Sequence, residues 1–467
     1  MGSLTNHRRF VVDQSWRRPA AGTVVFAGSP IKMFRLSATG KNIARLIEGG
    51  EVLPTGQEIL TDRLLDAGAI HPDVSPDDEM PYQLTDITVV IPTFVQSTHD
   101  VNQLSTLVVN CTGVGRIIVV DDASPHSLPT LEDATVITLD TNAGPGMARN
   151  AGLTHVTTPL VAFVDLDVTL NNDTLGGLLV YFADERLGIV APRIACDNTA
   201  GIIGDYERVR SPLDLGVNQA RVAPGTRVSY VPSALWLCRT EAIRAINGFD
   251  ASIRVGEDVD ALWRINAAGW RCRYQPNTTA RHPPRASIHE FISQRRAYGR
   301  SAAALGTRHP GAIAPVRVSA YSAVMWALIS CGFPLLGALV GAYTVIALAR
   351  KLRDVPNATE ESLRLAGLGN LHSARLLASA VTRAWWPIAV LLALVSRRAR
   401  KVLLCAAIVP AMYEWWSQRP ALDPLRYLAL RLIDDASYGT GVWEGVIAHR
   451  SADALMPDVS SWPKSAQ

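Results

Sequence analysis

Between residues 87 and 167 the apolar positions fall into short β-branched runs, with one helical stretch among them. The runs are ITVVIPTF at 87–94, RIIVVDDAS at 116–124, ATVITLD at 134–140 and LVAFVDLD at 160–167, and the helical stretch is the second half of NAGPGMARNAGLTHV at 142–156. Strands that alternate with helices predict an α/β fold with a mostly parallel, right-handed, doubly wound sheet covered by helices. Ligands of such sheets bind beyond the carboxyl ends of the strands.

Residues 8–72 predict a small unit that precedes this sheet. RRFVVDQ and GTVVFAGSPIKMFRLS indicate short strands, and two helices with one apolar stripe each follow them. Ser37 or Thr39 is the expected N-cap of the first helix and Thr55 that of the second, because hydroxyl oxygens accept the free backbone N–H groups of a first turn. The size and element order indicate a winged-helix-like α+β unit. The acidic, proline-rich stretch 72–81 predicts a domain boundary.

Beyond Arg317 the chain is strongly apolar. The segment 318–349 carries no charged residue and is longer than the roughly 20 residues of one membrane span, and Gly332-Phe333-Pro334 interrupts it near its middle. One kinked span, two membrane-dipping halves and a buried bundle in a soluble protein all fit this pattern. The apolar runs 384–396 and 402–413 are too short to cross a bilayer alone and predict an interfacial placement.

Tryptophans and basic residues flank the two shorter runs, as expected at a membrane interface. They are Trp385, Trp386, Trp415 and Trp416, and Arg397, Arg398, Arg400 and Lys401. Because basic flanks favour the cytoplasmic side, we expect a cytoplasmic-membrane protein whose α/β domain faces the cytoplasm, with the membrane surface as a partner. The last long segment, 424–450, predicts an amphipathic helix that enters a glycine-broken stretch.

Composition limits the other partners and the compartment. A length of 467 residues predicts more than one domain, and the patterns above place them at 1–80, 81–310 and 311–467. Lys+Arg 45 against Asp+Glu 42 gives a net charge of +3, so we expect no nucleic acid partner. The six cysteines form no Cys-x-x-Cys pair, which indicates a reducing compartment. Charges and Trp16 interrupt the N-terminal residues, so no cleaved secretory signal is expected.

Residues that could contact a nucleotide stand at the ends of the predicted strands, where a ligand would bind. In chain order they are Pro92-Thr93, Asp121-Asp122, Asp140 with Asn142, and Asp165-x-Asp167. Asp121 or Asp122 suits hydrogen bonds from a base or ribose, and Arg149 suits a phosphate as a bidentate donor. Gly144 and Gly146 would allow the backbone to approach a diphosphate.

Asp165 and Asp167 have the chemistry of a divalent-cation site. Two acids at this spacing on an extended backbone point the same way and repel each other unless a cation lies between them. Mg²⁺ held by one or two carboxylates typically completes its shell with phosphate oxygens. An isolated Asp-x-Asp is more often a solvated strand end, and the ordered series of polar strand ends is what favours the cation site here.

The motifs IPTF at 91–94, VVDDAS at 119–124, NAGPGMARNAG at 142–152 and FVDLDV at 163–168 resemble, in this order and spacing, the nucleotide-sugar half of a family-2 glycosyltransferase with the GT-A fold. The resemblance covers about 87–300. It implies an inverting hexosyltransferase with a mixed sheet. It further implies that Asp122 and Arg149 bind the nucleotide and that Asp165 and Asp167 bind the donor and Mg²⁺ or Mn²⁺.

The second half of this region carries the residues implied for the acceptor and the leaving group. In the family the acidic residue at Glu257-Asp258 is the catalytic base, so the resemblance implies that Asp258 deprotonates the acceptor hydroxyl. The same pair would also favour a helix N-terminus through the helix dipole alone. Trp236 and Glu257 are the expected acceptor contacts, with a packed core Trp as the alternative for Trp236.

His282 and two arginines complete the expected site. His282 is a third metal ligand, a hydrogen-bond partner of the diphosphate, or a structural histidine. Arg295 or Arg296 would neutralise the leaving diphosphate. Family members often carry Gln-x-x-Arg-Trp at this point, whereas this chain has Gln294-Arg-Arg-Ala-Tyr298, which argues against a processive, synthase-like mode.

The small N-terminal unit and the ending DDASYGTGVWEGVI at 434–447 resemble the mycofactocin-system branch of the family. That resemblance implies a UDP-sugar donor, UDP-glucose, and β-linked transfer of one or more glucose units to a peptide-derived redox cofactor or its precursor. The N-terminal unit also resembles the peptide-recognition domains of ribosomal-peptide modification systems, which implies peptide capture at an open strand edge, and a packing cap is the alternative. A lipid-linked cell-envelope acceptor and a catalytically idle peptide-binding scaffold are the competing functions.

Overall fold

The computed structural model describes residues 9–75, 78, 80–171 and 173–459. The chain divides into two compact units, of which the first contains Thr23–Thr199 and Arg210–Pro284 and the second contains Ala200–Val209 and Arg285–Gln467. The predicted N-terminal unit and the α/β domain thus share one unit, and the second boundary lies at 284 and not near 310. The ends of the predicted domains at 1–8 and 460–467, and linker positions 76, 77 and 79, lie outside the described residues.

The N-terminal elements of the first unit form two separate strand pairs and two helices. They are β1 (Phe10–Val12), β2 (Val24–Ala27), β3 (Lys32–Arg35), α1 (Ala38–Glu48), α2 (Glu58–Asp66) and β4 (Ile70–Pro72). β1 pairs antiparallel with β4, and β2 with β3. The Ser37 hydroxyl accepts the N–H of Gly40, which confirms one predicted N-cap. α2 begins after Gln57 without a side-chain cap, so the cap predicted at Thr55 is wrong.

Buried ion pairs join these elements to the large sheet of the same unit. The guanidinium of Arg271 lies 2.7 Å from the carboxylate of Asp62 and 2.8 Å from that of Asp66, both on α2. Its third nitrogen lies 2.9 Å from Asp184 of the sheet domain. Because breaking a buried pair leaves an uncompensated charge, this arginine fixes α2 on the sheet.

The elements from residue 87 to residue 282 build the predicted α/β domain, and all but one helix lie in the first unit. They are β5 (Ile87–Thr93), α3 (Thr98–Asn110), β6 (Arg116–Asp121), β7 (Thr135–Thr138), α4 (Pro145–Leu153), β8 (Leu160–Val164), α5 (Gly176–Leu179), β9 (Leu187–Cys196), α6 (Ile202–Arg210, mainly in the second unit), β10 (Ala220–Arg221), β11 (Leu235–Arg239), α7 (Thr240–Ala245), α8 (Glu257–Ala267) and β12 (Arg271–His282). The sheet order is β10-β12-β9-β11-β8-β5-β6-β7.

The sheet is mixed, as the family resemblance implied. β5, β6, β7 and β8 run parallel, β9 runs parallel to β12, and β11 lies antiparallel between β8 and β9. The central strands are buried along their whole length, which explains why their sequences are continuous apolar runs instead of alternating ones. Their carboxyl ends meet at one edge, where Thr93 pairs with Asp121.

The second unit is helical. Its elements after α6 are α9 (Ile288–Arg308), β13 (Arg317–Val318), α10 (Ala320–Ser330), α11 (Pro334–Lys351), α12 (Ala358–Ser362), α13 (Gly369–Thr382), α14 (Trp386–Val395), α15 (Arg397–Gln418), α16 (Pro424–His449) and β14 (Asp458–Val459). Gly332, at φ +88°, turns the chain between α10 and α11. A Cβ on Gly337 would lie 2.6 Å from Ile329 across that turn, so the interrupted apolar segment is a close helical hairpin and not one kinked helix.

Among the described residues, α11 is the one helix whose length and hydropathy would allow it to cross a membrane alone. The helical segments Ala358–Thr382 and Trp386–Val395, taken together, are also long and apolar enough to cross a membrane, and a bend of 86° separates them.

The ending of α16 has a packing role. The predicted glycine-broken stretch is wrong, because α16 continues as one helix to His449. A Cβ on Gly441 would overlap the backbone carbonyl of Arg296 on α9, and one on Gly445 would overlap that of Arg300. Gly299 of α9 meets the carbonyl of Tyr438 in the same way. The glycines are therefore needed for backbone contact between α9 and α16 and do not end the helix.

We expect Gly441→Ala to destabilise the second unit by about 2 kcal/mol, because the added methyl group must push two packed helices apart. The urea midpoint of the full chain would measure the loss. Gly369→Ala is the matched control, since Gly369 is also helical and has open space around its Cβ direction, so that variant should keep or slightly raise the midpoint. Equal midpoints for the two variants would contradict the packing role.

Candidate active site

The acidic residues at the strand ends before α4 accept hydrogen bonds from backbone N–H groups of the nearby loops. The two carboxylate oxygens of Asp122 accept the backbone N–H groups of Ala143 and Gly144, at 2.7 and 2.8 Å. Asp121 accepts the N–H of Ser124 at 2.9 Å. Both acids are buried. The carboxylate of Asp122 thus fixes the loop at the start of α4, and its predicted contact with a base or ribose stays a prediction.

The other predicted donor contacts in this region also have internal roles. Pro92 is buried within β5, and the buried Thr93 hydroxyl donates to the carbonyl of Ile91. Gly144, at φ +90°, begins α4, and Gly146 packs 3.3 Å from Glu257, measured from the position of a Cβ. These positions shape the wall of the site, and their predicted contacts with the donor stay predictions.

Asp165 and Asp167 lie in a turn directly after β8. The strand ends at Val164, and the N–H of Val168 donates to the carbonyl of Asp165. The extended backbone expected for this pair is therefore wrong, although both side chains stay partly exposed, 32% for Asp165 and 36% for Asp167. Burial raises the pKa of Asp165, the nearby charge of Asp167 raises it further, and Arg149 opposes the shift.

His282 joins Asp167. Backbone bonds between Thr169 and Arg281 bring the end of β12 beside the acidic turn, and the His282 Nε2 atom lies 2.9 Å from the carboxylate of Asp167. Its Nδ1 atom lies 2.6 Å from the carbonyl of Pro283, which can only accept a hydrogen bond. Nδ1 therefore donates to this carbonyl. The Asp167 carboxylate also accepts, so Nε2 forms a hydrogen bond with it when that nitrogen carries a proton too.

Arg149 connects the donor side of the site to the Glu-Asp pair. Its guanidinium is buried and lies 2.6 Å from Asp165 and 2.9 Å from Glu257. Although burial works against the charged form, the two carboxylates raise the pKa of Arg149. The predicted phosphate contact of Arg149 is wrong, because both of its terminal nitrogens are directed at carboxylates.

The Glu-Asp pair begins α8, and its two members have different surroundings. Burial and the charge of Asp258 raise the pKa of Glu257 to about 7, although Arg149 opposes this. Glu257 is buried against Arg149, which corrects its predicted acceptor contact. Asp258 is partly exposed, and its oxygens accept the N–H groups of Val259 and Ser233. Burial also raises the pKa of Asp258 above its ordinary value.

Trp236 is fully buried, so it is the core tryptophan of the two alternatives and not an acceptor platform. Its indole stacks on Phe249 with ring centroids 5.8 Å apart. Phe249 also meets Phe163 edge-on, with ring centroids 5.2 Å apart, and the Arg149 guanidinium, 5.3 Å from its ring centroid. Asn150 fixes Phe249 by bonding both its backbone N–H and its carbonyl.

Sequence reasoning missed Phe249, Asn150 and Ser233 as supports of the site. The signal for Phe249 was present in the Asn-Gly-Phe-Asp motif, where Asn247 and Gly248 both adopt positive φ. A Cβ on Gly248 would overlap the Asn150 side chain, so only glycine fits this clamp. The role of Ser233 depends on its backbone N–H and leaves no side-chain signal.

The two arginines predicted to meet the diphosphate take part in ion pairs within the second unit. Arg295 is buried 2.6 Å from Glu207 and 3.2 Å from Asp434. Its predicted role is wrong, because the guanidinium is enclosed and already neutralised. Arg296 is half exposed and forms an ion pair with Glu444.

The acidic turn fits a divalent cation that arrives with a diphosphate. Within the described ranges, no three His, Cys, Asp or Glu side chains lie close enough to hold a metal ion by themselves. Asp165 and Asp167 nevertheless supply the one or two carboxylates with which Mg²⁺ is typically held when phosphate oxygens complete its shell. Nδ1 of His282 is fixed by a carbonyl, as is usual for a metal-binding imidazole.

A mixed α/β sheet, an acidic turn after its central strand and a Glu-Asp pair joined to that turn by a buried arginine match what the sequence predicts for a glycosyltransferase of the GT-A type. The family model described as Glycosyl transferase family 2 matches residues 88–244. Pre-mycofactocin glycosyltransferase of Mycobacterium tuberculosis is 37% identical over 96% of this chain and 97% of its own. The chain belongs to the family-2 glycosyltransferases and is similar over nearly its whole length to that protein.

Two further matches are more distant. Succinoglycan biosynthesis protein ExoO of Rhizobium meliloti is 28% identical over 42% of this chain and 60% of its own. Among solved structures, the mannosyltransferase PcManGT from Pyrobaculum calidifontis in complex with GDP-Man and Mn²⁺ covers 77% of this chain and 93% of its own, with 20% identity and a TM-score of 0.39.

Proposed function

We propose that this glycosyltransferase moves a hexose from a nucleotide-diphosphate donor to a peptide-derived redox cofactor or its precursor, of the mycofactocin type, with inversion at the anomeric carbon. The observation that carries the reaction is the chain of contacts from Asp165 through Arg149 to Glu257 and the adjacent Asp258. The acceptor class is supported by the similarity of nearly the whole chain to pre-mycofactocin glycosyltransferase. We further propose UDP-glucose as the donor and one or more β-linked glucose units as the product.

Asp258 is the base of this reaction. Its carboxylate is partly exposed, and two backbone N–H groups orient it. As the acceptor hydroxyl attacks the sugar carbon, its proton passes to a carboxylate oxygen of Asp258, and the bond to the nucleotide diphosphate breaks on the opposite face. Glu257 and Arg149 hold the start of α8 against the acidic turn, so the base and the donor keep a fixed separation.

A divalent cation held by Asp165 and Asp167, with His282 behind Asp167, would stabilise the negative charge of the departing diphosphate. Mg²⁺ and Mn²⁺ both suit oxygen ligands of this kind.

The decisive experiment incubates the full chain with UDP-glucose, other UDP-sugars and GDP-mannose, together with either the peptide-derived precursor or a lipid-linked acceptor. We expect transfer from UDP-glucose to the precursor, with mass spectrometry counting the hexoses and NMR assigning the anomeric configuration. Transfer to the lipid-linked acceptor alone would replace the acceptor proposal with the cell-envelope alternative. An α-linked product would contradict inversion.

We expect Asp167→Asn to lower kcat by about 10²-fold or more, because the amide supplies a weaker cation ligand at the diphosphate. Donor affinity should fall in the presence of Mg²⁺ or Mn²⁺ and change little in the presence of a chelator. Asp173→Asn, at an exposed position after the same strand, is the matched control and should behave as the unchanged chain. The cation role fails if Asp167→Asn binds the donor as tightly as the unchanged chain under both conditions.

We propose for the N-terminal elements the peptide capture that their sequence predicts. In the described part of the chain β3 pairs with β2 only, so one of its edges is open to an extended peptide. Met33 and the basic Lys32 and Arg35 on β3 are exposed. Calorimetric titration of the full chain with the precursor peptide and with a scrambled peptide tests this use, and equal heats for the two peptides would refute it.

A further inference from the structure

The helices of the second unit expose many large apolar side chains. Within α14 every residue is apolar, and Ala393 is the one that is buried. On α11 and α15 the exposed apolar positions follow helical spacing, so each helix carries one stripe. We call the exposed apolar side chains of α11, α14 and α15 the apolar face; its most exposed members include Leu335, Leu391, Leu394, Val395, Leu404 and Trp416.

The exposure of this face is too extensive for an ordinary water-facing surface. Val395 is 84% exposed, Leu335 80% and Leu394 72%, and each has exposed apolar neighbours along its helix. Soluble proteins rarely leave contiguous apolar patches of this kind, and where they do, a protein partner or a membrane usually covers them. The buried-bundle alternative for this region is therefore wrong, because these helices are not buried.

A basic cluster lies at one end of the apolar face. Arg398 donates to the carbonyl of Cys331, so the turn between α14 and α15 lies beside the turn between α10 and α11. Arg397, Arg400 and Lys401 are exposed where these two turns meet, and we call these three residues the basic cluster. The sequence carries no Asp or Glu between Glu361 and Glu414, so this positive charge has no acidic residue nearby along the chain.

We propose that the apolar face docks on one leaflet of a bilayer that contains anionic lipids, with the basic cluster among the headgroups. Apolar side chains next to unneutralised arginine and lysine match an acyl boundary next to anionic headgroups. A water-soluble protein partner would not require both features side by side. This inference does not rest on the donor or acceptor assigned above.

The helices lie along the interface and do not cross it. α10 has 11 residues and α14 has 10, so each is about 15 Å long, half of the roughly 30 Å hydrocarbon thickness. α11 is longer, but it packs against the short α10 as a hairpin. Insertion of the α14–α15 hairpin with its turn first would carry the basic cluster into hydrocarbon, where charged side chains are strongly disfavoured.

Vesicle co-sedimentation of the full chain tests the docking. We expect the chain to bind vesicles of phosphatidylcholine with about one third phosphatidylglycerol at least about 100-fold more tightly than vesicles of phosphatidylcholine alone. High salt should reduce the difference, because salt screens the headgroup charge. Equal binding to the two vesicles, or binding to neither, would overturn the proposal.

Two variants separate the charged from the apolar contribution. The triple variant Arg397→Gln, Arg400→Gln, Lys401→Gln leaves Arg398 in place, because Arg398 joins the two turns. Because each basic residue contributes roughly fivefold in affinity, this variant should bind anionic vesicles about 100-fold more weakly. Its affinity for neutral vesicles should change little. Leu394→Glu with Val395→Glu should lose binding to both. Val109→Glu on α3, also an exposed apolar position, is the control and should bind as the unchanged chain.

An unchanged circular-dichroism spectrum and an unchanged urea midpoint show that each variant has folded. Unchanged anionic-vesicle binding of the triple variant would overturn the role of the basic cluster. Resistance of the unchanged chain to alkaline carbonate extraction from cell membranes would show a spanning protein and overturn the interfacial placement. If the unchanged chain is a dimer that Leu394→Glu with Val395→Glu dissociates, and it binds no vesicles, the apolar face is covered by a second copy instead.

Discussion

Asp258→Asn is expected to lower kcat by about 10²–10⁴-fold while donor affinity stays within about threefold of the unchanged value. The size follows from the loss of general base catalysis, since an amide cannot take the proton of the acceptor hydroxyl. The backbone N–H groups of Val259 and Ser233 can still be accepted by the amide oxygen, so α8 should keep its position. Single-turnover transfer and equilibrium donor binding separate the two quantities.

The pH dependence gives this prediction a second readout. Burial raises the pKa of both Glu257, to about 7, and Asp258, so the base loses its ionised form at a higher pH than a solvated carboxylate would. Turnover of the unchanged chain should therefore rise with pH through the joint titration of this pair, at a higher pH than for a solvated carboxylate. Asp258→Asn should lose that rise, whereas Glu257→Gln should keep a rise that belongs to Asp258. A residual Asp258→Asn activity with the unchanged pH profile would assign the base elsewhere.

Arg149→Met is expected to reduce both stability and turnover, because it leaves two buried or half-buried carboxylates without their counter-charge. Removing one partner of a buried ion pair costs about 3–5 kcal/mol, and the partial exposure of Asp165 places this case at the lower end. The urea midpoint measures the loss of stability. Turnover should fall by at least about 10²-fold, because the base and the donor turn lose their connection.

Two comparison variants separate charge from geometry. Arg149→Lys keeps the positive charge but lacks the planar fork that reaches Asp165 and Glu257 together, so it should recover part of the stability and little of the turnover. Arg254→Met is the control, since Arg254 is exposed and donates to a backbone carbonyl. Arg149 also lowers the pKa of Glu257 and Asp258, so its removal should shift the rise of turnover to higher pH. A stable Arg149→Met variant with unchanged turnover would remove the connecting role.

The order of the strands and the edge that carries the site were predictable from local patterns. Continuous β-branched runs gave β5, β6 and β8 within a few residues of their observed bounds, because strands buried on both faces have few other compositions. The convergence of Thr93, Asp121 and Asp165 followed from the rule that parallel strands share a carboxyl edge. The N-cap at Ser37 was readable for the same local reason.

The partners of the polar side chains were not predictable in this way. Asp165 and Glu257 are separated by almost a hundred positions, and the arginine that joins them was expected to hold phosphate. Arg295 had the right charge for a diphosphate, but the fold encloses it between Glu207 and Asp434. A sequence shows which charges exist, whereas the packing of distant segments decides which charges neutralise one another.

The sequence by itself thus determined an α/β sheet with acidic residues at its ligand edge and a Glu-Asp pair at the start of α8, because periodicity and capping are local properties of the backbone. The family followed from the resemblance of its motifs. Only the tertiary structure decided that Trp236 is core, that Arg149 links the donor turn to the base, and that the glycines of α16 serve helix contact. These outcomes depend on the burial and the neighbours of each side chain, which arise only when segments far apart in the chain pack together.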